Sequence, residues 1–114
     1  MRIYEDLKGR KEVDRDYWIG LQVRNVDRLI AISLRLPEIR GVVITDVEDG
    51  SPAAKAGLES PDVIIGINGV NVGDYRDMQS YLRNSDLRVG DKMKVKVIHD
   101  GKTSDKVLKL GKRP

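Results

Sequence analysis

Side chains that could do covalent chemistry are few in this chain, and their spacing does not suit catalysis. The 114 residues contain one histidine, His99, and no cysteine. A serine nucleophile needs a nearby base and a strained elbow such as Gly-x-Ser-x-Gly, and no serine lies in that pattern. We therefore predict that the chain has no catalytic residue and that His99 is a surface residue beside a hairpin turn.

Metal and cofactor chemistry has equally little support. Zinc and related metals are held by clusters of His and Cys, which one histidine and no cysteine cannot supply. The carboxylates within residues 48–62 lack the regular spacing of a calcium loop. The glycines within residues 66–73 lack the lysine and the following helix of a phosphate loop. The sequence predicts no metal site and no cofactor.

A site made of backbone groups is better supported. Residues 17–23 read Tyr-Trp-Ile-Gly-Leu-Gln-Val, an apolar run interrupted by one glycine. Consecutive backbone N–H groups in such a segment can surround one anion, because glycine lets a ligand approach the main chain closely. The run predicts an anion-binding turn at the start of a strand.

Three helices are predicted around this segment. Residues 26–36 place Leu29, Ile32 and Leu36 on one helical stripe, and Pro37 cannot continue the helix. Ser51 and Pro52 are an N-cap and a first helical residue, and Gly57 suits the left-handed stop of a short helix. Residues 74–84 form the strongest helix pattern, with Asp74 as its cap.

Strands are predicted at 18–24, 41–48, 62–68, 92–99 and 103–110. Asn68-Gly69 and Asp100-Gly101 are the residue pairs that favour tight turns with positive φ. Residues 92–97 alternate lysine with Met or Val, which predicts a strand with its lysines facing outward.

Charge and length exclude several classes of partner. The net charge is only +3, from 21 basic and 18 acidic residues that are scattered along the chain, whereas nucleic-acid binders concentrate basic charge on one face. No apolar run approaches the roughly 18 residues that span a bilayer. We predict no nucleic-acid partner and no membrane insertion.

Two longer motifs carry a resemblance to a known family. Residues 50–58 read Gly-Ser-Pro-Ala-Ala-Lys-Ala-Gly-Leu, and residues 62–69 read Asp-Val-Ile-Ile-Gly-Ile-Asn-Gly. Together with the run at 17–23 they resemble the PDZ domain of bacterial HtrA/DegP-like serine proteases. The resemblance implies an α+β fold, a small, partly open β-barrel or sandwich of about five strands capped by two or three helices.

The resemblance also implies a ligand and a site. The ligands would be peptides or unfolded protein C-termini, bound as C-terminal or internal hydrophobic segments. The amides of Ile19, Gly20 and Leu21 would hold the peptide carboxylate, and the peptide would add as a strand along Gln22, Val23 and Arg24. The opposite wall would be the helix 74–84, with contacts from Asp77, Met78 and Tyr81. Leu82 is expected to pack in the core instead.

The resemblance finally suggests how the chain is organised. Residues 1–16 would be a linker or helical tail that follows a protease domain, residues 17–110 the PDZ domain, and residues 111–114 a tail. The parent would be a serine endopeptidase of the periplasm or cell envelope. Two alternatives stay open: a PDZ module of another parent, such as a tail-specific protease, a site-2 protease or a secretion component, and a stand-alone adaptor.

Overall fold

The structure, a computed structural model, describes residues 17–112. The predicted linker or helical tail in residues 1–16 lies outside the described residues. Within the described range the chain forms three helices and eight strands. The helices are α1 (Arg28–Ser33), α2 (Pro52–Lys55) and α3 (Tyr75–Asn84). The strands are β1 (Tyr17–Trp18), β2 (Leu21–Asn25), β3 (Val42–Val47), β4 (Val63–Ile67), β5 (Val70–Asn71), β6 (Lys92–His99), β7 (Lys102–Lys109) and β8 (Gly111–Lys112).

The strands build one main antiparallel sheet and one small ribbon. The main sheet has the order β2-β3-β4-β6-β7, with β5 beside β4, and β1 pairs with β8. The sheet is open at β2 and β7 and does not close into a barrel. These observations confirm the predicted α+β class, with a sheet that stays open where a partly open barrel or sandwich was expected.

Each face of the main sheet has its own apolar cluster. On one face, α2 and α3 pack through Ala53 and Met78 against a larger cluster that includes Ile44 and Leu108. On the other face, α1 packs through Ala31 against a smaller cluster that includes Val63. We call these the α3 face and the α1 face.

The predicted boundaries of α2 and α3 are confirmed. The hydroxyl of Ser51 accepts a hydrogen bond from the amide of Ala54 at 3.1 Å, and Gly57 ends the turn with a φ of 88°. The carboxylate of Asp74 accepts from the amide of Asp77 at 2.9 Å. The two predicted tight turns also have positive φ at both central residues.

The prediction for α1 is wrong about its buried stripe and its end. Leu29 and Ile32 are 76% and 65% exposed, whereas Ala31 is buried. Ile30 and Leu34 are the residues that pack beside Ala31. The helix is only six residues long and stops before Pro37, because Arg35 adopts a φ of 55°.

The end of the chain also differs from the expectation of a tail from residue 111. Gly111 and Lys112 form β8 and pair with Trp18 and Tyr17. This ribbon holds β1 immediately before the predicted anion-binding turn. The strand therefore helps to position the segment that the sequence singled out.

His99 has a role that its sequence position did not reveal. Its side chain is about half exposed, as expected beside the hairpin turn, but its Nδ1 lies 2.5 Å from Oδ1 of Asp62. Asp62 is only 2% exposed, and its other carboxylate oxygen accepts from the amide of Glu59 at 3.2 Å. The pair joins β6 to the loop before β4. The hydrogen bond and the charge of Asp62 raise the pKa of His99.

This raised pKa predicts a pH dependence of stability. A histidine with a pKa above its unfolded value of about 6.5 stabilises the fold fully below that value, and loses this contribution as the pH rises through the folded pKa. We expect the free energy of unfolding to fall with rising pH above about pH 6.5, and to fall less in His99→Gln. Urea denaturation of both proteins across this range measures the difference. Parallel profiles would show that the pair is not coupled to folding.

Candidate functional site

A cleft of about 660 Å³ lies between β2 and α3. The loop and strand wall consists of Tyr17 and the continuous segment 19–23. The helix wall presents five side chains: Tyr75, Met78, Gln79, Leu82 and Arg83. One wall is therefore a strand with the loop before it, and the other is a helix.

The strand wall is an open sheet edge. β2 stands first in the order of the main sheet and pairs on one side with β3. Among residues 17–112 no strand pairs with its other side, which faces α3 across the cleft. The free N–H and C=O groups of an edge strand can take up another extended chain. The cleft is thus shaped for the addition of a strand.

The turn before β2 has a fixed orientation. The carbonyl of Ile19 accepts from the amide of Ala53 at 3.0 Å, and the carbonyl of Gly20 accepts from the amide of Glu48 at 2.8 Å. In a trans peptide the N–H points opposite to the C=O of the same unit. The N–H groups of Gly20 and Leu21 are therefore directed away from α2 and β3. Both residues line the cleft, so these donors are available on its side.

Gly20 is required for packing as well as for shape. Its φ is +89°, and a Cβ built on it would lie 2.1 Å from Cβ of Ser51 and 2.4 Å from its Oγ. Ser51 is fully buried and caps α2. The sequence suggested that this glycine admits a ligand; the structure adds that the turn is pressed against the cap of α2.

A hydrogen bond sets the spacing of the two walls. Oδ1 of Asn25, the last residue of β2, accepts from the amide of Tyr75, the first residue of α3, at 2.6 Å. This bond ties the end of the strand to the start of the helix. Trp18 donates its indole N–H to Glu48 at 2.5 Å and holds the entry to the turn.

The structure brings together most of the predicted strand side of the site. Ile19, Gly20, Leu21, Gln22 and Val23 all line the cleft. Leu21 and Val23 are half-buried, and the Gln22 side chain is exposed. Arg24 is exposed and lies outside the lining residues, because it follows the alternation of β2 onto the face opposite to Val23.

The helix wall contains one of its three predicted residues. Met78 lines the cleft as expected, and Leu82 packs on the core cluster, as expected, and lines the cleft as well. Asp77 instead accepts a hydrogen bond from the amide of Gly73 at 2.9 Å. The hydroxyl oxygen of Tyr81 accepts a hydrogen bond from Asn68 Nδ2 at 2.8 Å. Neither Asp77 nor Tyr81 lines the cleft.

A sequence signal for the helix face that lines the cleft did exist. Tyr75, Met78, Gln79 and Leu82 are spaced by three or four residues, as side chains on one helical face must be. Arg83 adds a positive charge to this wall. The other described residues that line the cleft are uncharged. A cleft with backbone donors at one end, apolar side chains inside and a cation on its wall suits an extended ligand with an anionic end.

Residues 17–112 contain neither a candidate metal cluster nor a candidate membrane-spanning helix. In this part of the chain, no group of three or more His, Cys, Asp or Glu side chains could hold a metal ion. None of its helices is long and apolar enough to cross a membrane.

Comparisons with known proteins agree with the geometry. The family model for the PDZ domain matches residues 18–110. The chain is 37% identical over 97 residues to a probable periplasmic serine endoprotease, DegP-like, of Bartonella henselae, covering 85% of this chain and 19% of that protein. It is 33% identical to the serine protease Do-like HtrA of Bacillus subtilis, covering 97% of this chain and 26% of that protein.

Solved structures give the same result. The HtrA-type protease AlgW with a decapeptide is 31% identical, with a TM-score of 0.73 that covers 87% of this chain and 30% of that chain. The PDZ domain of HtrA3 bound to a phage-derived ligand shares 18% identity and a TM-score of 0.66, covering 82% of this chain and 84% of that chain. The second likeness supports the fold. The chain thus spans a fifth to a quarter of the two curated relatives.

Proposed function

The chain belongs to the PDZ domain family, and on that premise we propose that it is a non-catalytic module that binds C-terminal or internal apolar segments of other proteins. The observation that carries the proposal is the open edge of β2, which faces α3 across the cleft. An extended peptide fits this edge as an additional antiparallel strand. HtrA-type proteases with bound peptides are among the similar solved structures, which supports a peptide as the ligand.

The two ends of the cleft have different tasks in this proposal. The amides of Ile19, Gly20 and Leu21 hold the C-terminal carboxylate of the peptide, since a carboxylate that accepts several N–H bonds is strongly stabilised. The last side chain of the peptide lies against Leu21, Met78 and Leu82. Gln22 and Val23 supply the main-chain bonds of the added strand.

We also propose that the chain is the PDZ part of an HtrA-type serine protease in the periplasm or cell envelope. The names of the curated relatives support this parent and this location. A trypsin-like domain with His, Asp and Ser, encoded upstream in the same gene, would exclude both alternatives: another parent protein and a stand-alone adaptor. Binding through this module would then bring protein segments to the protease domain.

The test of the ligand proposal compares two peptides that differ at one group. A peptide with an apolar C-terminal residue should bind with a dissociation constant on the order of 1–100 μM, because a short added strand makes few contacts. Its C-terminal amide should bind about three- to tenfold more weakly, since the amide keeps one acceptor oxygen but loses the charge. Isothermal titration calorimetry on the chain measures both constants.

A third peptide completes the design. A scrambled peptide with a free carboxylate but a polar last residue should bind weakly, because Met78 and Leu82 offer it no polar partner. Equal affinities for the acid and the amide peptide would contradict the proposed binding of the peptide carboxylate by the amides of residues 19–21. No measurable affinity for any of the three, by a folded chain, would contradict peptide binding at this cleft.

A further inference from the structure

The α1 face of the main sheet is only partly covered. β6 alternates along its length, so that Met93, Val95 and Val97 are buried under the α3 face and the intervening residues point the other way. The first three of these intervening residues are Lys92, Lys94 and Lys96, all exposed. Ile98 continues the same row and packs under α1. The lysine end of the row lies beyond Ile98, where Lys94 and Lys96 border a cavity together with residues 68–71 and Asp105.

The neighbouring strand extends this basic surface. Across β7, Lys109 lies opposite Lys92, Val107 opposite Lys94 and Asp105 opposite Lys96. Two lysines that face each other directly across strands destabilise a sheet. Among the described residues, no ion pair joins the four lysines to a carboxylate. The surface thus carries four lysines and one carboxylate, Asp105, and its Lys92–Lys109 pair is maintained at some cost to stability.

Protection of a sheet edge does not explain these lysines. Natural sheets often carry lysine on an edge strand to prevent pairing with other chains, and Lys109 on β7 fits that role. β6, however, pairs with β4 on one side and β7 on the other. Its three lysines protect no edge, so their row calls for another function.

Apolar side chains project from the same side of the molecule. α1 packs on this face through Ala31, so its outward residues Leu29 and Ile32 stand above the sheet at 76% and 65% exposure. Three arginines belong to the same region: Arg28 is the first residue of α1, Arg35 follows the C-cap of α1, and Arg24 lies opposite Val43 of the α1 face. All three are exposed.

We propose that the α1 face docks on the surface of an anionic lipid bilayer. The lysine row and the arginines would lie against the phosphate headgroups, and Leu29 and Ile32 would enter the boundary with the acyl chains. Lysines on alternate strand residues stand roughly 6.8 Å apart in a straight row, which a flat headgroup layer can contact together. This is contact with a surface and not insertion of a spanning helix.

The chemistry of the face favours a bilayer over a nucleic acid. Single-stranded nucleic acids are held by aromatic side chains on which bases stack, and the row on β6 and β7 contains none. Exposed leucine and isoleucine side chains find no apolar surface on a phosphate backbone, whereas their burial among acyl chains lowers the free energy. α3 lies on the other face of the sheet, so the peptide cleft stays accessible in a docked chain.

The experiment measures partition of the whole chain onto vesicles. Vesicles of phosphatidylcholine with about one third phosphatidylglycerol should bind the chain, and pure phosphatidylcholine should bind it at least about tenfold less, since each lysine near an anionic surface contributes favourably. K94E/K96E should lower partition onto the anionic vesicles by at least about tenfold. L29S/I32S should lower it as well while leaving the charge unchanged.

A matched control separates this face from net charge. K55E/R76E makes the same change in charge on α2 and α3, at exposed residues of the opposite side, and should reduce partition much less. Equal losses in K94E/K96E and K55E/R76E, equal binding to neutral vesicles, or preferred binding to a duplex oligonucleotide would each overturn the proposal. Thermal midpoints of all variants establish that they are folded.

Discussion

Gly20→Ala should destabilise the domain by about 2–5 kcal/mol, a large part of the 5–15 kcal/mol that holds a typical domain folded. Two costs add. A residue with a Cβ disfavours a φ of +89° by roughly 1–2 kcal/mol. The new methyl group would also lie 2.1 Å from Cβ of the buried Ser51, which must then shift and weaken its cap on α2.

Gly50 provides the matched control for this prediction. Its φ is +72°, but a Cβ built on it meets nothing within 4 Å. Gly50→Ala therefore measures the cost of the backbone conformation alone, about 1–2 kcal/mol. Urea denaturation of the two variants and the parent gives both values. If Gly20→Ala were no worse than Gly50→Ala, the turn would have room to move, and close packing on Ser51 would not be its constraint.

Local signals in the sequence predicted the parts of the fold that depend on neighbouring residues. Ser51 with Pro52, Asp74, Asn68-Gly69 and Asp100-Gly101 all act within a few residues, and the structure has them in their predicted roles. Alternation along β6 predicted its buried and exposed rows correctly. The PDZ resemblance rested on two such local motifs, and the family comparison confirms it.

Contacts between distant residues could not be read in the same way. Leu29 and Ile32 form a plausible stripe, but which stripe of α1 is buried depends on where the sheet lies, and Ile30 and Ala31 face it. His99 lies at the surface, as its turn indicated, but the sequence did not reveal its partner Asp62, which is 37 residues away. Tertiary packing decides such cases, since several helical faces can be equally apolar in a short segment.

The helix wall shows the same limit at the candidate site. Spacing alone placed Met78 and Leu82 on one face, but it did not reveal that both border the cleft, or that Tyr81 turns toward Asn68. Choosing Tyr81 rested on the general suitability of tyrosine for wet grooves. The position of β2 relative to α3, set by Asn25 and Tyr75, decides which helix residues a ligand can reach.

Leu82→Ala should weaken binding of a peptide with an apolar C-terminal residue by about ten- to fiftyfold. Leu82 lines the cleft and is half-buried in the free chain, so a ligand side chain can cover the rest of it. Removing three carbon atoms from that contact forfeits roughly 1.4–2.3 kcal/mol at about 0.8 kcal/mol per buried CH₂ group. Titration calorimetry with the acid and amide peptides measures the change.

Tyr81→Phe is the control for this prediction, because it changes the same helix away from the cleft. It removes only the hydroxyl group, whose oxygen accepts a hydrogen bond from Asn68 in the turn between β4 and β5. Its affinity should stay within about twofold of the parent. Leu82 also touches the core cluster, so both variants must be compared at a temperature well below their midpoints of thermal unfolding. Loss of affinity in Tyr81→Phe with none in Leu82→Ala would place the ligand on the face of α3 that the sequence suggested. The opposite result supports the wall formed by Met78 and Leu82. In the proposed complex Leu82 would contact the side chain of the ligand and not its carboxylate, so the acid and amide peptides should lose affinity by the same factor.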